Sequence, residues 1–214
     1  MKKFVITAGG TSEKIDNVRK IKELFNLDRI EQSDYTYLTE SFSSIDAKYG
    51  KYSVLGNHDH LNMEKVVKIF NNSGFKYLEN NFDIIYNEYG EKIFIGGLGN
   101  VTYNLDDVDK TMEYFKNNDD ILYKLILVHE PDISDTIVDK YDVDLILAGH
   151  SHNGQVRLPV IGAIYTPEHS KKYYDKYYNI NDTDLYISSG IGVSIINYRL
   201  FNRPSINFYR INKN

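Results

Sequence analysis

Residues 145–159 read LILAGHSHNGQVRLP. Four apolar residues, Leu145 to Ala148, stop at Gly149, and two imidazoles follow with only Ser151 between them. A short continuous apolar run closed by a turn residue is consistent with a fully buried strand. Gly149 lets the backbone turn sharply just where that strand ends. Buried strands that hand polar side chains to the loops beyond their carboxyl ends belong to layered α/β folds, where such loops converge on one crevice.

Two other stretches share the design. Tyr52–Leu55 runs into Gly56-Asn57-His58-Asp59-His60, and Leu125–Val128 runs into His129-Glu130-Pro131. Five of the 6 histidines fall in these three segments, whereas His169 stands apart and reads as structural. Neutral imidazoles converging with an amide carbonyl make a metal site. Each such ring needs its second nitrogen held by another group. In His150-Ser151-His152 the spacing can present two rings to neighbouring ions.

Composition narrows the classes. The chain has 214 residues, 42% hydrophobic and 26% charged, enough for one α/β domain over 1–214, with 1–34 an atypical opening. Net charge is −5, so no nucleic-acid partner is expected. With no cysteine, thiol catalysis and disulfides are excluded, and any metal must be held by His, Asp, Glu or Asn. No apolar run approaches the roughly 20 residues of a membrane span. MKKFVITAGG lacks the apolar core of a signal peptide. The expected location is cytoplasmic or peripheral to a membrane.

Between the ligand segments, strands and helices alternate. Phe4–Thr7 reads as a strand ending at Gly9-Gly10, and Glu13–Asn26 and Tyr35–Ala47 read as helices. Asn62 is positioned to cap a helix running to Phe70. Phe82–Tyr86 and Lys92–Ile95 flank Glu88-Tyr89-Gly90 as a hairpin. Asp106–Phe115 and Ser134–Lys140 read as helices, and Leu185–Ile187 and Ser205–Ile211 as late strands.

The set Gly56-Asn57-His58-Asp59, His129 and Gly149-His150-Ser151-His152 resembles the signature of the calcineurin-like metallophosphoesterase family. The spacing fits as well: His129 lies 72 residues after Asn57, and His150 lies 21 after His129. Gly154-Gln155-Val156-Arg157-Leu158-Pro159 and Tyr165-Thr166-Pro167 resemble the bacterial branch of lipid-linked sugar pyrophosphatases and phosphodiesterases. Ser188-Ser189-Gly190-Ile191-Gly192 and Phe201-Asn202-Arg203-Pro204 fit that branch too.

The resemblance implies a sandwich of two mixed β-sheets flanked by helices. It also implies phosphodiester or phosphomonoester hydrolysis at two divalent ions, Mn, Fe or Zn. By motif match, Asn57, His129 and His150 would bind one ion and His152 the other. His58 would sit beside the scissile phosphate, stabilising charge or protonating the leaving oxygen, with Asp59 orienting it. The substrate would be a phosphate ester, such as a lipid or cell-envelope precursor.

The family's Asp-x-His and Gly-Asp motifs are missing, and no histidine precedes Asn57. One alignment sets Glu23 at the bridging carboxylate's place, and the competing one, through Gly9-Gly10-Thr11-Ser12-Glu13, sets Gly10 there. Residues 5–20, with Gly9-Gly10-Thr11, resemble the opening of phosphopantothenate–cysteine ligase, so the N-terminal part reads as truncated or replaced. Phe4–Thr7 is then expected to fill the lost strand's place without ligands. Two functional readings follow: a metal-dependent phosphoesterase, impaired or not, holding two ions or one, and a catalytically inactive metal-binding remnant. A nucleotide site at Gly9-Gly10 lacks the required glycine spacing.

Overall fold

The computed structural model describes residues 4–5, 32–194 and 197–209. In chain order the strands are β1 (Phe4–Val5), β2 (Lys51–Ser53), β3 (Phe75–Tyr77), β4 (Asn81–Tyr86), β5 (Lys92–Gly97) and β6 (Ile121–Leu127). They continue as β7 (Leu145–Ala148), β8 (Arg157–Leu158), β9 (Gly162–Ala163), β10 (Tyr177–Ile180), β11 (Thr183–Ile187) and β12 (Phe208–Tyr209). The α-helices are α1 (Gln32–Ser43), α2 (Met63–Asn72), α3 (Val108–Thr111) and α4 (Ser134–Val138).

A six-stranded mixed sheet, ordered β10-β11-β7-β6-β5-β4, forms the centre. Its four inner strands are parallel and both edge strands are antiparallel. The inner strands therefore all release their loops at the same edge. Alternation sorts their side chains by face. Phe94, Ile126, Ile146 and Leu185 pack with Val108, Met112 and Ile137 from the α3 and α4 regions. Ile95, Leu125, Leu127, Leu145 and Leu147 face the other way, onto Val54, Leu78, Tyr52 and Tyr209.

That second face carries two short ladders, parallel β2–β3 and antiparallel β1–β12. Beyond them lie α1 and α2, where Phe42 stacks on Phe70 at 5.9 Å and Phe70 meets Phe75 at 5.5 Å. The expected layered α/β sandwich is present, with its second sheet reduced to these two ladders among the described residues.

Several boundaries differ from expectation for local reasons. The helix expected over Asp106–Phe115 breaks in two. Asp107 caps Lys110 N–H at 2.9 Å, α3 ends after one turn, and a 3-10 turn covers Glu113–Asn117. Asn62 sits at the N-cap of α2, but its side chain makes no cap hydrogen bond there. α1 ends at Ser43, whose hydroxyl bonds back to the Thr39 carbonyl at 2.6 Å, short of the expected Ala47. Of Phe4–Thr7, Phe4–Val5 forms a strand paired with β12; the remainder lies outside the described residues, as do Gly9-Gly10, the helix expected over Glu13–Asn26, and Glu23.

Candidate metal centre

The parallel strands bring two of the three sequence segments side by side. Backbone bonds run on past the strand ends: Val128 N–H donates to the Leu147 carbonyl at 3.0 Å, and Gly149 N–H to the His129 carbonyl at 3.1 Å. His129 and His150 are thereby clamped together, with ring centroids 4.8 Å apart. The third segment enters through β2. Gly56 packs flat on the His129 imidazole, where a Cβ would sit 2.6 Å from Cε1. Only glycine permits that approach.

The Gly56–Asn62 turn is fixed from inside. Asp59 is buried, and its carboxylate accepts from Gly56 N–H at 2.8 Å, while Asp59 N–H donates to the Gly56 carbonyl at 3.0 Å. Burial raises the Asp59 pKa, opposed by the Gly56 hydrogen bond. Asp59 thus supports the turn through Gly56; no hydrogen bond joins it to His58 among the described residues. His58 is exposed at the start of the 3-10 turn.

Three side-chain atoms converge. His129 Nε2 lies 3.0 Å from Asn57 Oδ1 and 3.1 Å from His150 Nδ1. His150 Nε2 lies 2.8 Å from the Glu168 carbonyl, which can only accept, so that nitrogen carries the proton and Nδ1 is bare. Burial lowers the His129 pKa well below its usual value, with His150 as the next cause. Burial lowers that of His150 as well, against the Glu168 bond. Both rings are therefore neutral at neutral pH. One proton on His129 Nε2 cannot serve the amide oxygen and the bare nitrogen equally well. A single cation accepts all three lone pairs, so this donor set fits a divalent ion.

Glu130 is a functional candidate that the sequence pattern does not single out. It is fully buried, and its donor atom lies within 4.8 Å of those of His129 and His150. The carboxylate accepts from Thr102 Oγ1 at 2.8 Å and from Val101 N–H at 3.2 Å. The available signal was an acid placed directly after a strand-end histidine.

His152 is placed differently. Its Nδ1 faces Arg199 Nη2 at 3.4 Å, and its pKa is lowered to about 4 by burial first and by Arg199 next. Arg199 is anchored by Nε to the Gly192 carbonyl at 2.7 Å and by Nη2 to the Ser189 carbonyl at 2.6 Å. Burial lowers the guanidinium pKa to about 10. The loop itself is strained: His150, His152, Asn153 and Gln155 all have positive φ, at 59°, 50°, 51° and 39°. Each such residue costs on the order of 1–3 kcal/mol and persists only where the surroundings enforce it. Here Ser151, buried, accepts from Asn153 N–H at 3.0 Å and donates to the Tyr174 carbonyl at 3.1 Å.

The sequence matches the family described as "Calcineurin-like phosphoesterase" over residues 4–154. The chain belongs to that family. It is 31% identical over 169 residues to "Uncharacterized metallophosphoesterase YkuE" of Bacillus subtilis, covering 78% of this chain and 58% of that protein. It is 34% identical over 85 residues to "Phosphodiesterase YaeI" of Escherichia coli, covering 40% of this chain and 31% of that one. A second Bacillus subtilis relative, metallophosphoesterase YkoQ, is 29% identical and is spanned over 60% of its length. The chain thus spans less than two thirds of the length of each of these relatives. In fold it resembles sulfate thiohydrolase SoxB of Thermus thermophilus, with a TM-score of 0.50 at 12% identity, over 75% of this chain and 31% of that one. A calcineurin-like phosphoesterase is, in general terms, a metal-dependent phosphoester hydrolase. No helix among the described residues is long and apolar enough to cross a membrane.

Proposed function

We propose that this chain hydrolyses a phosphate ester, with Asn57, His129 and His150 holding a divalent ion such as Mn, Fe or Zn. One observation carries the reading: two bare donor atoms, Asn57 Oδ1 and His150 Nδ1, both lie within 3.1 Å of His129 Nε2. A bound divalent ion supplies hydroxide at neutral pH and offsets phosphoryl charge. His58, exposed at the mouth of the same turn, donates the proton to the leaving oxygen. Asp59 holds the Gly56 N–H and so sets the angle at which Asn57 and His58 project.

His152 is the ligand expected for a second ion. Because Arg199 already faces it, we assign the described residues one ion. The substrate is a phosphodiester or phosphomonoester. A lipid-bearing or envelope-precursor substrate is supported by the β8–β9 hairpin, whose tip leaves Val160 fully exposed and Ile161 73% exposed. That tip also supports a location at a membrane surface.

A second reading, a metal-binding remnant without turnover, is favoured by the same His152–Arg199 contact. Elemental analysis together with turnover of bis-p-nitrophenyl phosphate in added Mn separates the two. The phosphoesterase reading expects turnover, reduced about a hundredfold or more by His58→Ala with the metal retained. Bound metal with no turnover would favour the remnant.

A further inference from the structure

A cavity of about 620 Å³ opens beside the His152 loop. Its floor is amide. Asn202 Nδ2 donates to the His152 carbonyl at 2.6 Å, and Asn153 Nδ2 donates to Asn202 Oδ1 at 3.0 Å; both asparagines are buried. The loop that presents the imidazoles is therefore also the floor of this second space. Arg157 forms a wall. Its Nη1 pairs with Asp175 at 2.7 Å and donates to the Asn153 carbonyl at 3.1 Å. Its Nε and Nη2 make no hydrogen bond to a described residue. Lys176 and Arg203 line the rim, both exposed, and neither forms an ion pair with a described residue.

Three cations thus surround one carboxylate, in a chain whose net charge is −5. A concave surface on which one sign of charge is in excess concentrates oppositely charged ligands, and here three cations outnumber Asp175. A guanidinium edge fits the paired oxygens of phosphate or carboxylate. We propose that this cavity is an anion subsite, taking a phosphate or carboxylate that the substrate carries in addition to the phosphoryl group being hydrolysed. The substrate class is then a phosphoester with two anionic groups. This inference rests on the phosphoesterase reading of the adjoining imidazoles.

The test is calorimetric titration of the full chain with inorganic phosphate at low ionic strength. Lys176→Ala/Arg203→Ala removes two exposed side chains and leaves the buried floor alone. The expected result is a phosphate site weakened about tenfold by the double variant and unmoved by Asn57→Ala, alongside a site lost with Asn57→Ala. The double variant should also raise KM about tenfold for a nitrophenyl ester bearing a second phosphate, leaving kcat and the turnover of bis-p-nitrophenyl phosphate within about twofold. If phosphate binding survives the double variant unchanged, the subsite is overturned. If only the rim-sensitive site is found and no ester is turned over, the subsite binds anions but the phosphoesterase reading falls.

Discussion

The two halves of the candidate centre each take one histidine from the same motif, and the two histidines end differently. His150 and His152 are separated by one residue, and both imidazoles are neutral. Yet His150 turns its bare nitrogen toward His129 and Asn57, whereas His152 turns its Nδ1 toward Arg199. One half gathers lone pairs with no positive charge among them; the other already faces a guanidinium. Ligand identity read from a motif is thus insufficient. What faces the ligand decides whether a cation can join it.

The largest expected effect lies in the first half. His129→Ala removes the nitrogen on which both other donors converge. Loss of an outer partner alone costs about 10–100-fold in metal affinity, so losing this ligand should weaken metal binding by about a hundredfold or more. Turnover of bis-p-nitrophenyl phosphate should fall in step. Metal content that survives the change would move the ion away from Asn57 and His150 and break the comparison at its root.

Acid should sharpen the contrast next. The unfolded chain takes up a proton at His152 near pH 6.5, while the folded chain resists until about pH 4. Between those values the unfolded state binds more protons, so stability falls as pH falls. For this partly buried ring the loss reaches about 3 kcal/mol at most. Denaturant midpoints of metal-free protein from pH 7 to pH 4 should drop more steeply in the wild type than in His152→Ala. Parallel curves would mean that Arg199 and burial do not depress this ring.

Much of the centre was legible because strand ends announce themselves. Leu125–Val128 and Leu145–Ala148 are apolar on both faces, as strands in the middle of a covered sheet must be; the first stops at His129 and the second at Gly149, just before His150. The two segments that follow these strands could therefore be placed at one edge from sequence alone, whereas the Gly56 segment enters from β2, in a separate ladder. Arg199 could not be assigned in this way. It comes 47 residues after His152, from irregular backbone with no periodicity, and is held at the ring by the Gly192, Ser189 and Gly190 carbonyls. Glu130 stood in plain view, but its burial depends on Val101 and Thr102, which belong to the turn after β5. Short helices failed for a related reason: Asp107 caps one turn at α3, and local capping outweighs a weak helical period.

Gly56→Ala tests how tightly the first half is built. The added Cβ would lie 2.6 Å from a buried ring that is itself held against His150. Overpacking of this kind costs about 1–3 kcal/mol. For a chain of this size that is a fall in Tm of roughly 2–4 °C per kcal/mol. Metal affinity should drop with it, because the ring must move away from Asn57. An unchanged Tm would show that the His129 pocket has slack, and the close convergence of the donors would lose its physical basis.

The smallest effect should come from the second half. If Arg199 occupies the position in which His152 would meet an ion, then His152→Ala leaves the metal count at one per chain. Affinity for that ion should move less than about twofold, far below the cost of losing even an outer partner of a true ligand. Equilibrium dialysis followed by elemental analysis reads both numbers. Two ions in the wild type and one in the variant would show that Arg199 gives way when metal arrives. The halves would then differ only before the ion binds, and the Arg199 contact would be a resting arrangement that metal displaces.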